Sequence, residues 1–169
     1  TEGGVVRASV HRVGGATVDA RSGGNDWGDV ISPDSGRVIA GPRDAATGGF
    51  LRTSSLLMQR RMRRPFPTSN TVIGVVATNV RLRKEQAHRL AQMAQVGLAR
   101  TLDPCGSMYD GDTLFVLSMG DNRCDMNALG VGAVEAVATA VQRAVREAVS
   151  LGGVPALRDV KESDSCAQC

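Results

Sequence analysis

An alternation in the last two-thirds of this chain limits its fold more than any other feature. Residues 72–78, VIGVVAT, form a nearly continuous apolar run rich in β-branched side chains, which predicts a strand covered on both faces. Residues 84–102 then repeat at helical spacing, with Ala87, Leu90, Ala91, Ala94 and Leu98 on one face and Lys84, Gln92 and Gln95 on the others. A second apolar run, residues 113–119, predicts another strand. A long helix follows, capped by Asn127 and running to about Ser150, with Glu135, Gln142, Arg143, Arg146 and Glu147 on one polar stripe. Gly152, Gly153 and Pro155 stop it. Strand, helix, strand, helix is an α/β pattern, and polar residues gather at both strand entrances: Asn70 and Thr71 at the first, Asp110, Gly111 and Asp112 at the second.

Upstream the texture differs. Residues 5–40 alternate short Val-rich segments with glycine pairs and turn dipeptides, which predicts strands and turns. Residues 42–70 are polar and rich in Gly, Pro and Arg, and read as a surface segment leading to Asn70, with one apolar patch at 50–58 that is a short helix candidate. With 169 residues the chain suits one domain able to bury a core without staples.

Charge and composition narrow the function. Residues 1–70 hold ten Lys/Arg against six Asp/Glu, and residues 71–169 hold ten against eleven, so the net charge of +3 comes from the first part. Much of that excess is the run RRMRR at 60–64, which reads as a solvated connector. Aromatics make up only 3% of the chain, too few to stack bases, so no nucleic-acid partner is expected. Charges in the last helix argue against a membrane span, and Gly130 and Gly132 inside it point to close helix packing rather than a nucleotide loop. His11 and His88 lie far apart without a carboxylate at ligand spacing, and both read as structural. Cys105, Cys124, Cys166 and Cys169 form no evenly spaced framework, and no secretory apolar segment opens the chain, which points to a reducing, cytoplasmic setting. The closing Cys-x-x-Cys sits in a polar tail and reads as inert.

The two strand entrances carry the chemistry. If the Asn70–Thr71 bond is cut, the freed amine of Thr71 lies beside its own hydroxyl and can act as the base that activates it. An α-amine titrates at about 7.7–8.0, close to working pH, so no histidine is needed. Asp110 and Asp112 could orient that ammonium and hydroxyl, while the Asn25 amide and backbone N–H groups could hold a developing oxyanion. On spacing alone, Asp-Gly-Asp-Thr reads first as a hairpin turn, and Asn-Thr as a strand lead-in.

Longer segments add a resemblance. NTVIGVVATNVRLRKEQAHRLAQMAQVGLARTLDP and DGDTLFVLSMG resemble the β-subunit of the self-cleaving aminopeptidases that include the D-aminopeptidase (L-aminopeptidase D-esterase/amidase), the β-peptidyl aminopeptidases and the nylon-oligomer endo-hydrolase. NDWGDVISPDSGRVIAGPRD and GGFLRTSSLLMQRRMRRPFP are similar to the end of their α-subunit. The resemblance implies a four-layered αββα-type N-terminal-nucleophile hydrolase-like fold, incomplete at its amino terminus because family chains are about twice as long. It divides the single domain into an α-subunit-like part at 1–70, a β-subunit-like part at 71–160 and a tail at 161–169.

It further implies autocleavage between Asn70 and Thr71, Thr71 as nucleophile, Asp110 and Asp112 as the acidic pair, Asn25 as the active-site amide and no cofactor. An apolar strand is expected directly before Asn25. Glu2 stands where the family carries lysine, and Gly106 where it carries histidine. The function so implied is hydrolysis of a short peptide, amide or ester through an acyl-enzyme. The implied partners are a small peptide or amide substrate and either further copies of the chain or the missing α-subunit portion. A non-catalytic remnant, or a subunit dependent on a partner, is the alternative.

Overall fold

In this computed structural model, the structure describes residues 7–25, 28–60, 71–108, 110–153 and 155–159. Glu2, Arg61, Arg63, Arg64, Asn70, Cys166 and Cys169, on which several expectations fell, lie outside the described residues.

The main sheet has four strands in the order β1-β2-β5-β7. β1 (Arg7–Val13) and β2 (Ala16–Asn25) form a hairpin, and β2 pairs antiparallel with β5 (Thr71–Val80). β7 (Thr113–Asn122) lies parallel to β5, and α2 (Lys84–Ala99) links the two as a crossover. α3 (Met126–Arg146) follows and packs on β1, β2 and α2. The core is therefore one sheet face against two helices. Val18, Ala20, Val72, Val76, Val80 and Leu114 meet Leu90, Ala94, Leu98, Leu129, Ala133, Val137 and Ala140.

Glycines set how closely the helices approach. A Cβ on Gly97 of α2 would lie 2.6 Å from the Val134 carbonyl oxygen of α3 and 2.8 Å from the Val137 Cβ. Gly130 faces Met93 of α2 and Gly132 faces Val13 of β1, each closer than a side chain would allow, so both glycines serve helix packing as their spacing suggested. Gly97→Ala must push two helix backbones apart and is expected to cost about 1–3 kcal/mol, read as a lower thermal midpoint. An unchanged midpoint would mean the helices are not held at this distance.

A smaller sheet orders β4 (Val38–Ala40), β3 (Asp29–Ile31) and β6 (Leu102–Asp103). Fully buried Asp29 accepts from the Thr53 backbone N–H at 2.8 Å and from the Thr53 hydroxyl at 2.6 Å, which fixes the start of α1 (Thr53–Met58). Burial pushes the Asp29 carboxyl up, against the pull of the two Thr53 bonds. Ser54 donates to Asp103 at 3.0 Å and fastens the same helix start to β6.

Three expectations change. The strand after Thr71 is not covered on both faces: its burial alternates, and Ile73 is 55% exposed. On the neighbouring strand Phe115, Leu117 and Met119 are exposed on the same side, so the sheet shows an apolar face opposite the helices. Among the described residues no second layer covers it. The last helix is capped by Asp125, whose Oδ1 accepts from the N–H groups of Asn127 and Ala128 at 2.9 Å each, rather than by Asn127. It ends at Arg146, with Arg143 and Arg146 in its last turn, before Ser150 and the glycines. This is the one helix among the described residues long and apolar enough to cross a membrane, and its apolar stripe packs on the sheet.

Candidate active site

Strand pairing brings the two entrances together. Thr71 is the first residue of β5, and its register partner across the antiparallel ladder is Asn25, the last residue of β2. On the other side Thr113 is paired with Ile73 in parallel. Two residues back along both strands, Gly111 comes beside Thr71. A Cβ on Gly111 would lie 3.0 Å from Thr71 Oγ1, so glycine there leaves the hydroxyl room.

The acids flank that glycine. Asp112 Oδ1 accepts from the Val72 N–H at 2.9 Å, a bond that ties the loop to the residue following Thr71. Asp110 Oδ2 accepts from the Ser107 hydroxyl at 2.6 Å. The second oxygen of each carboxylate, Asp110 Oδ1 and Asp112 Oδ2, is buried and has no hydrogen-bond partner among the described residues. Burial raises the Asp112 carboxyl above its ordinary value of 3.8, the Val72 N–H opposes that rise, and the neighbouring Asp110 charge adds to it.

Both acids line a cavity of about 410 Å³ between α2 and the loop, walled by Gln92, Gln95, Val96 and Cys105. Two half-anchored carboxylates beside a threonine hydroxyl can hold an ammonium and direct a hydroxyl. No group of three or more His, Cys, Asp or Glu among the described residues could hold a metal ion. His88 is exposed on α2 and His11 half-buried on β1, both away from these acids in sequence and fold.

Thr71, Asp110 and Asp112, singled out in the sequence, thus meet at one end of the sheet, with the Asn25 backbone in register. Asn70 lies outside the described residues. The strand before Asn25 is present but polar and glycine-rich rather than apolar, and is held by pairing to both neighbours. Sequence reasoning missed Ser107. Its signal was the Ser-x-x-Asp spacing to Asp110, a common pattern for a local side-chain bond.

Known proteins share both sequence and fold with this chain. It is 33% identical over 179 residues to an uncharacterized aminopeptidase of Mycobacterium leprae, covering 91% of this chain and 47% of that protein. A 6-aminohexanoate-oligomer endohydrolase of Agromyces is 28% identical over 120 residues, 62% of this chain and 34% of its own length. The chain spans about half the length of the curated relatives it matches most fully.

Among solved structures, an L-aminopeptidase D-Ala-esterase/amidase from Ochrobactrum anthropi, a variant of the Ntn-hydrolase fold, superposes with a TM-score of 0.56 at 22% identity, over 90% of this chain and 42% of that one. A β-aminopeptidase from Burkholderia gives 0.50 at 25% identity, over 85% and 42%. The fold is accordingly of the N-terminal-nucleophile hydrolase type. The pattern of peptidase family S58 runs through residues 8–158, and the chain belongs to that family.

Proposed function

We propose that this chain is the nucleophile-bearing half of a peptide or amide hydrolase whose nucleophile is Thr71, exposed by self-cleavage after Asn70. The observation that carries the reading is the loop closed onto Thr71: the Val72 N–H donates to Asp112 at 2.9 Å, and Gly111 lies against Thr71 Oγ1. In self-cleavage the Thr71 hydroxyl attacks the Asn70 carbonyl carbon. The Asn70–Thr71 C–N bond breaks as the nitrogen takes up a proton, which frees the Thr71 amine, and water then hydrolyses the resulting ester, returning the Thr71 hydroxyl and leaving Asn70 with a carboxylate.

The same groups then turn over substrate. The amine accepts the Oγ proton as Oγ adds to a substrate carbonyl, gives it to the leaving amine, and later activates the water that cleaves the acyl-enzyme. Asp110 and Asp112 orient the ammonium, and Asn25, at the register position opposite Thr71, contributes its amide to the oxyanion site. Substrates are short peptides, amides or amide oligomers, in keeping with the names of the relatives. No cofactor enters this chemistry.

The apolar face of Ile73, Phe115, Leu117 and Met119 supports a further element of the reading. A partner layer covers it during turnover, supplied by the amino-terminal portion that the relatives carry or by another copy of the chain. Self-cleavage is intramolecular and precedes that assembly. Intact-mass spectrometry of the purified chain tests the proposal: two polypeptides are expected, one beginning at Thr71. A chain that stays whole would favour a non-catalytic remnant.

A further inference from the structure

Resting on that reading of the site, we propose that Ser107 is a positioning residue, whose hydroxyl holds one oxygen of Asp110 and so fixes the orientation in which the other oxygen stays buried, next to the glycine that lies against Thr71. Each acid has one anchored oxygen and one buried oxygen without a partner among the described residues. The two anchors differ in kind. Asp112 is held by the main-chain N–H of Val72, which the pairing of β5 fixes in place. Asp110 is held through the side chain of Ser107, at 2.6 Å, in a loop that has glycine at 106 and 111.

Gly106 takes a φ of +70°, a conformation few other residues adopt, and Gly111 adjoins Asp110 itself. The Asp110 N–H also donates to the Ser107 carbonyl at 3.2 Å, which places its main chain, while the Ser107 hydroxyl sets how the carboxylate is turned. The bond also offsets repulsion. Asp110 and Asp112 are close enough that the charge on one affects the protonation of the other, and a hydroxyl donor on Asp110 lets its carboxylate stay beside Asp112 instead of turning to solvent. Ser107 and both acids line the same cavity.

The experiment follows cleavage after Asn70 in the full chain by intact mass against time, for Ser107→Ala, Ser107→Cys, Ser107→Thr, Asp110→Asn and the double variant Ser107→Ala/Asp110→Asn. Loss of the hydroxyl is expected to slow cleavage by about tenfold to a hundredfold, as expected for a group displaced by about an ångström. Ser107→Cys keeps the volume with a poor donor and should show the same loss even if Ser107→Ala folds badly. Ser107→Thr keeps the hydroxyl and should recover the rate to within about threefold. Adding Ser107→Ala to Asp110→Asn should change nothing further, because the residue acts only through that acid. Wild-type rates in both Ser107→Ala and Ser107→Cys, or multiplying effects in the double variant, overturn the inference while leaving the site reading standing. A wild-type rate in Asp110→Asn, or a wild-type chain that never cleaves, overturns the site reading and this inference with it.

Discussion

Thr71→Ala is expected to yield a single polypeptide of full mass and no measurable amidase turnover, a loss of at least about 10⁴-fold, the scale seen when a hydrolase loses its attacking atom. Thr71→Ser keeps the hydroxyl and should cleave within about tenfold of wild type. Little else changes with Thr71→Ala. The side chain is half-buried at the first position of β5 and not part of the core, so the thermal midpoint should hold while cleavage disappears. Scission after Asn70 in the alanine variant would end the case for Thr71 as the attacking group.

Asp112→Ala should slow both self-cleavage and turnover by about 10²-fold or more, within the range for a lost proton-handling or charge-orienting group. Asp112→Asn is the sharper probe, since the amide oxygen can still accept from the Val72 N–H while the charge is gone. The pH dependence has a determined sign. Burial and the Asp110 charge raise the Asp112 carboxyl above 3.8, so the anion that orients the ammonium is lost as pH falls through a value higher than an ordinary aspartate's. Wild-type rate should therefore fall on that acid limb, and Asp112→Asn should be slow and flat across it.

Stability moves the other way. A carboxyl raised in the fold is costly when ionised, so its unfavourable contribution is present above the folded value and is relieved as pH falls through it towards 3.8. Asp112→Asn should remove this relief and be neutral or stabilising near pH 7. Rate and stability responding to acid in the same direction at this residue would contradict the assignment.

Much of this arrangement could be read from the chain, for identifiable reasons. α2 and α3 were visible because each is long and periodic, and β5 and β7 because each is an apolar run bounded by polar residues. Thr71, Asp110 and Asp112 stood out because they are polar at the mouths of apolar runs. The error about β5 has a clear cause: Ile73, Val75 and Ala77 are as apolar as the core-facing residues between them, so the pattern could not show that one face lies open in this chain. The cap was misplaced by two residues because Asp125 and Asn127 offer the same chemistry, and only the backbone decides which is outside the helix. β2 was harder to see, since Arg21, Ser22, Gly23 and Gly24 carry no alternation and are held extended by strands on both sides. Ser107 was hidden because a serine in a turn is ordinary until its acceptor is known.

The parallel pairing of β5 with β7 has a consequence for how this architecture tolerates change. The separation of Thr71 from Asp112 is fixed by ladder hydrogen bonds between adjacent strands, not by the roughly forty residues of chain that run between them. Insertions or deletions within that intervening stretch can alter the outer wall without displacing the reacting groups, whereas a shift of a single residue between the strands would turn every side chain to the opposite surface and separate the pair.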